Sequence, residues 1–224
     1  MRTPIQKRLS IIFWLLALLD ITAISIDQPL AHYFAKPLLI PVLLVLVYVS
    51  SSAVNGKGLL MTGLVFSWLG DVLLMFESRH SLFFILGLVC FLTTHIFYIV
   101  FFLLIRSANS SLLKKQPILI ALVPGYGITL VWQLYPHLGD LKLPVIVYAI
   151  VICSMLLCSL HAFSKVNRKT AIFYVAGAAF FVLSDSLLAI NKFYQPFAWA
   201  GIFIMLTYCA AQYFIVTGYL EQEP

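Results

Sequence analysis

Eight runs of roughly 18 or more predominantly apolar residues constrain this chain more than any other feature. They lie at about 9 to 26, 37 to 54, 58 to 76, 81 to 105, 117 to 134, 143 to 163, 170 to 190 and 197 to 218. Wound at 1.5 Å per residue, each is long enough to cross the hydrocarbon core of a bilayer. In lipid the backbone must satisfy its own N–H and C=O groups, which a helix does and an open strand cannot. The runs are therefore read as helices. With 62% hydrophobic and only 10% charged residues among 224, the chain cannot hide its apolar surface inside one water-soluble core. The expected fold class is all-α, a polytopic membrane helical bundle with eight transmembrane helices in a single transmembrane domain over residues 1 to 224.

The segment MRTPIQKR ahead of the first run imitates a signal peptide, but the run contains Asp20 and continues without a clear small-residue cleavage site, so it reads as the first span. The formal charge of +6 raises nucleic acid as a partner, and the placement of the cations argues against it. With eight spans, Arg2, Lys7, Arg8, Lys57, Arg106, Lys114, Lys115, Lys165, Arg168 and Lys169 fall on the side of the termini, and Lys36, Arg79, Lys142 and Lys192 on the other. Ten against four follows the positive-inside rule and puts both termini in the cytoplasm. The basic balance is topology, and no nucleic acid is expected.

Cys90, Cys153, Cys158 and Cys209 all lie in spans and form no CxxC pair, so they read as small buried hydrophobes. The chain holds no GxSxG elbow, no HExxH and no phosphate-binding glycine loop. No metal or cofactor is expected.

Shifting the chain against itself by 114 residues aligns 63 to 93 with 177 to 207 without a gap, with ten of 31 positions identical. Leu pairs mean little in an apolar alphabet. The shared pattern GxxFxxxxDxLL means more, because it carries Asp71 in one copy and Asp185 in the other. An offset of four spans suggests a parallel repeat of spans three and four with spans seven and eight. It also puts the two acids at one depth, each five residues before the outer end of its run, or about 8 Å beneath it. That is near the glycerol level of a phospholipid.

An acid in hydrocarbon costs about 2.5 to 3.5 kcal/mol even on the lenient insertion scale, and is a functional hypothesis by default. The competing reading is that each Asp is hydrogen-bonded between helices and only fixes packing. Asp20, at a similar level in the first span, is a third acid with either role. Ser67 lies one turn before Asp71 and shares its face. Lys192 follows Asp185 by seven residues, beyond the apolar run, where it meets a lipid phosphate or snorkels. His95 with Tyr98, and Tyr208 with Gln212, are pairs one turn apart that suit either packing or catalysis. Two carboxylates in apolar surroundings cannot readily both ionise, so the pair could share one proton and supply a general acid and a general base together.

Several segments carry a resemblance: KPLLIP (36 to 41), GLVFSWLGDVLL (63 to 74), FLTTHIFY (91 to 98), LPVIVY (143 to 148), GAAFFVLSDSLLAINKF (177 to 193) and YCAAQYFI (208 to 215). Together, with their FSxxGD and SDxxLAxxxF motifs, they are similar to the YhhN-type lysoplasmalogenase family over residues 36 to 215. The resemblance implies an eight-helix membrane enzyme with no required metal. It would hydrolyse the vinyl ether bond of lysoplasmalogens, the alkenyl glycerophosphocholines and glycerophosphoethanolamines, to a fatty aldehyde and a glycerophospho-base.

On this reading Asp71 and Asp185 are the catalytic pair, one protonating the vinyl carbon and the other stabilising the cation and activating water. The sequence does not say which does which. Lys36 and Lys192 would sit near the substrate phosphate, with Ser67, His95, Tyr98, Tyr148, Ser184, Tyr208 and Gln212 as supporting polar groups. The expected partners are a lysophospholipid substrate and the bilayer, and the expected location is a bacterial inner membrane. The main rival is a proton-coupled transporter or lipid carrier, since intramembrane acids and repeated helical units serve there too. Against it, the acids cluster toward one face instead of tracing a path across.

Overall fold

The computed structural model describes residues 3–50, 55–105 and 110–222. Arg2 and Arg106, two of the cations counted above, and the expected end of the second span at 51–54 lie outside the described residues. Among the described residues there is no strand, and the α-helices are α1 (Pro4–Ser25), α2 (Pro29–Tyr48), α3 (Lys57–Leu74), α4 (Ser81–Leu104), α5 (Leu112–Lys115), α6 (Ile118–Leu134), α7 (Lys142–Ala162), α8 (Arg168–Ala189) and α9 (Ala200–Glu221). All but the four-residue α5 are long and apolar enough to cross a membrane. The protein is a multi-pass integral membrane protein.

Six of the eight long helices start and stop within three residues of their apolar runs, and the first two begin earlier. For α1 the cause is a reciprocal cap. The Gln6 backbone N–H donates to Thr3 Oγ1 at 3.3 Å, and the Thr3 N–H donates to Gln6 Oε1 at 2.9 Å, so donors that a helix start leaves orphaned are satisfied and Pro4 takes the first turn. For α2 the expected start at 37 is corrected to Pro29, another proline in the first turn, while Pro37 and Pro41 lie inside the helix. Proline removes one i to i−4 bond, which a membrane helix tolerates where a neighbour takes up the freed carbonyl. Pro41 frees the carbonyl of Pro37, and the Trp68 indole of α3 donates to it at 2.9 Å.

The chain divides into two compact units, residues 1–101 and 102–223. In the first, α3 and α4 meet at small residues, as helices in lipid do when close packing must replace the hydrophobic effect. A Cβ on Gly63 would come 2.6 Å from the Tyr98 ring, and one on Gly70 would come 2.8 Å from the Phe91 ring. Thr94 Oγ1 donates to the buried Gly63 O at 3.0 Å, adding a polar tie between the two helices.

In the second unit α8 and α9 make the tightest pair. A Cβ on Gly177 would lie 2.6 Å from Ile215 Cγ1 and 2.9 Å from its backbone nitrogen, and Gly218 packs just as closely on the Tyr174 ring. By contrast α6 is peripheral, with only Gly127 and Leu134 buried. A five-residue π-helical turn, Ile190–Tyr194, continues α8 past its last α-helical residue. Its wider winding carries Lys192 to an exposed position.

Candidate active site

Asp185 lies four residues before the end of α8, a helix started by Asn167, whose side chain accepts from the Thr170 N–H at 2.9 Å. The carboxylate is half-buried. Tyr148, in the second turn of α7, donates its hydroxyl to Asp185 Oδ2 at 2.6 Å. Next to Asp185, Ser186 accepts a hydrogen bond from Tyr126 of α6 at 2.8 Å and donates to Val182 O at 2.6 Å. Asp185, Tyr148, Tyr126 and Ser186 are the polar side chains of a narrow cleft of about 50 Å³ between α6, α7 and α8, and its other walls are apolar residues and Cys153.

A carboxylate aimed by a tyrosine into an apolar cleft can accept a proton, orient a water or stabilise a positive charge, and all three gain strength where bulk water is excluded.

The other site residues expected in this unit lie elsewhere. Ser184 is buried and donates to Ile204 O of α9 at 3.1 Å, so its hydroxyl serves the α8–α9 contact. Tyr208 is buried, with its ring edge-on to Phe181 at 5.7 Å between centroids, and Gln212 is fully buried in α9. Lys192 is exposed on the π-helical turn beyond the cleft. Tyr126 and Ser186 are absent from the sequence-based set. The one signal for Ser186 is its place beside Asp185, and Tyr126 is one aromatic residue among many until the packing of α6 on α8 is known.

In the first unit Asp71 occupies the last turn of α3 and is 2% exposed, with Ser67 fully buried one turn earlier. On α4 His95 and Tyr98 are also fully buried, Tyr98 against Gly63. Lys36 is half-buried on α2. Asp20, the third acid, is fully buried and its Oδ1 pairs with His32 Nδ1 at 2.8 Å, which ties α1 to α2.

The sequence model of the YhhN family matches residues 31–219. This chain belongs to the YhhN family. Its curated relatives include the human lysoplasmalogenase TMEM86B, 32% identical over 198 residues that cover 87% of this chain and 79% of that one. The human lysoplasmalogenase TMEM86A is 32% identical over 170 residues, covering 74% and 67%. A lysoplasmalogenase of Mycobacterium tuberculosis is 32% identical over 139 residues, covering 61% and 51%. No solved structure matches this YhhN chain.

Proposed function

We propose that this YhhN protein is a lysoplasmalogenase of a bacterial inner membrane, with both termini in the cytoplasm, and that Asp71 and Asp185 are its catalytic acid and base. Its relatives' names support the reaction. The observation that carries the reading is Asp185, a half-buried carboxylate held by Tyr148 at 2.6 Å in a cleft that is otherwise mostly apolar. A lipid bond at the glycerol level needs such a group, one able to act on a substrate whose remainder is hydrocarbon.

An enol ether hydrolyses by protonation of its outer vinyl carbon. The C=C electron pair forms the new C–H bond and leaves an oxocarbenium ion, to which water adds. The resulting hemiacetal loses its hydroxyl proton as its C–O bond to the glycerol breaks, and the departing oxygen takes up a proton, giving a fatty aldehyde and a glycerophospho-base. Asp185, oriented by the Tyr148 hydroxyl, is assigned the stabilisation of the cation and the removal of a proton from the attacking water. Asp71, almost wholly buried, is assigned the proton donor. Lys36 and Lys192 are assigned the phosphate end of the substrate, and Ser67, His95, Tyr98, Tyr208 and Gln212 the support of the two acids.

The test is aldehyde release from a lysoplasmalogen by purified protein in detergent, followed with a coupled dehydrogenase. Asp71→Asn and Asp185→Asn should each lower turnover at least ~10²-fold, the usual scale of lost acid or base catalysis, while eluting as folded protein. Absence of aldehyde from folded wild type removes the reaction, and near-normal turnover by either variant removes that residue's role.

A further inference from the structure

One end of the second unit gathers cations that its acids do not answer. The short α5 packs on α7 there, and the turn Phe163–Lys165 that follows α7 packs on α8. These segments carry Lys114, Lys115, His161, Lys165, Arg168 and Lys169. Among the described residues the acids of this unit are Asp140, Asp185 and Glu221. Asp140 precedes α7 and Asp185 is near the end of α8, so both lie at the far ends of their helices. Only Glu221 lies at this end, and Lys169 pairs with it at 2.8 Å. Lys114, Lys115, Lys165 and Arg168 have no carboxylate partner among the described residues.

Lys165 is held in place without being neutralised. Its ammonium donates to His161 Nε2 at 2.7 Å and to the Ile105 carbonyl at 3.3 Å. An ammonium has only donors to offer, so the imidazole accepts here and is itself uncharged. Two of the three N–H bonds thus go to neutral acceptors, which aim the third and leave the charge whole. Lys114, on α5, stands close enough for its charge to act on the same imidazole. Ordering a lysine head forfeits rotamer freedom, and a cation that only marked the sidedness of the helices would work as well disordered.

Beneath these cations the surface is apolar. In α5 Leu112 and Leu113 are half-buried while Lys114 and Lys115 are exposed. Ile172, one turn after Arg168 and on its face, is exposed, as is Ile118 at the start of α6. Both α7 and α8 are long and apolar enough to cross a membrane, so their shared end lies at the level of the lipid headgroups.

We infer that this end of the unit binds the phosphate of an anionic phospholipid, with Lys165 and Lys114 as its main contacts and Lys115 and Arg168 at the rim. The inference stands apart from the hydrolase reading. Charge complementarity makes the occupant an anion, and depth makes it a lipid. A phospholipid brings its phosphate to this level and its chains past Ile118 and Ile172, whereas a free phosphate has nothing to lay against them. Basic clusters beside membrane helices attract anionic headgroups in this way. A zwitterionic lipid carries its own cation, which the lysines repel.

The test follows thermal unfolding of the purified full chain in neutral detergent with phosphatidylglycerol, with phosphatidylcholine of the same chains, or with inorganic phosphate. At about ten times its dissociation constant, phosphatidylglycerol should raise the melting temperature by roughly 3 °C or more, and the other two by less than about 1 °C. The shift should fall by at least half in Lys114→Gln/Lys165→Gln and persist in Arg79→Gln/Lys142→Gln, which removes the same charge elsewhere. An equal shift from phosphatidylcholine overturns the site, as does a full shift in Lys114→Gln/Lys165→Gln or an equal loss in the two double variants. An equal shift from inorganic phosphate overturns the lipid as occupant.

A second measurement needs no variant. Phosphatidylglycerol with a diazirine near its glycerol is photolysed on the wild-type protein, and the adducts are mapped by mass spectrometry. Adducts concentrated on residues 112–118 and 161–172 support the site, and adducts spread evenly over the helix ends overturn it.

Discussion

The hydrogen bond from Tyr148 to Asp185, at 2.6 Å, is the residue-scale feature with the clearest consequence for rate. A bond to a charged group contributes about 1.5 to 3 kcal/mol, and here it also fixes the direction of the carboxylate. Tyr148→Phe keeps the ring, and so the cleft wall, while removing the donor. The expected result is a fall in kcat of about 10- to 100-fold with KM nearly unchanged, since the tyrosine acts through the aspartate and not on the substrate. Steady-state rates at several substrate concentrations separate the two parameters, and a rise in KM with kcat intact would make Tyr148 a substrate contact instead. Asp71 and Asp185 stood out in the sequence because an acid inside an apolar run is rare, whereas Tyr148 entered only as a supporting group suggested by the family resemblance. Tyr126 and Ser186 did not stand out, because their bond depends on α6 packing against α8, and hydroxyls in apolar runs are common.

At the scale of the element, the sequence showed where helices lie better than why they pack. Six long helices matched their apolar runs because composition changes sharply at their ends. The start of α2 was missed because Pro29, Pro37 and Pro41 read as breaks in water, whereas the third is relieved by Trp68 reaching the freed carbonyl of Pro37. Gly63 and Gly177, matched at an offset of 114 residues in the sequence, each sit where one helix touches the next.

Gly177 makes a sharp test of such packing. A Cβ there meets backbone, at 2.9 Å from Ile215 N and 3.0 Å from Ala211 O, which cannot rotate away. Gly177→Ala should therefore cost about 1 to 3 kcal/mol and lower the melting temperature of the detergent-solubilised protein by several degrees. Gly125→Ala, with nothing within 4 Å on peripheral α6, should be neutral or slightly stabilising, since alanine is the better helix former. Equal melting temperatures for the two variants would mean that the α8–α9 contact is looser than its geometry.

For the molecule as a whole, the unequal distribution of cations makes a prediction about sidedness. In the proposed topology eight spans bring both termini to one face, and the ten-to-four split of Lys and Arg argues that this face is the cytoplasmic one. Lys142, at the start of α7, and Lys192, on the turn after α8, then belong to the opposite face. With its phosphate end near Lys192, as proposed, the substrate would enter from the leaflet away from the cytoplasm. Wild type supplies the background for a labelling test, because Cys90, Cys153, Cys158 and Cys209 all lie within helices that cross the bilayer. In intact cells Lys142→Cys and Lys192→Cys should react with a membrane-impermeant maleimide, whereas Lys7→Cys and Lys169→Cys should react only after the membrane is opened. The reverse pattern would invert the topology and move the site to the cytoplasmic leaflet. Turnover of a lysoplasmalogen added outside sealed cells would then require a flip across the bilayer first, so the labelling pattern and the whole-cell rate check each other.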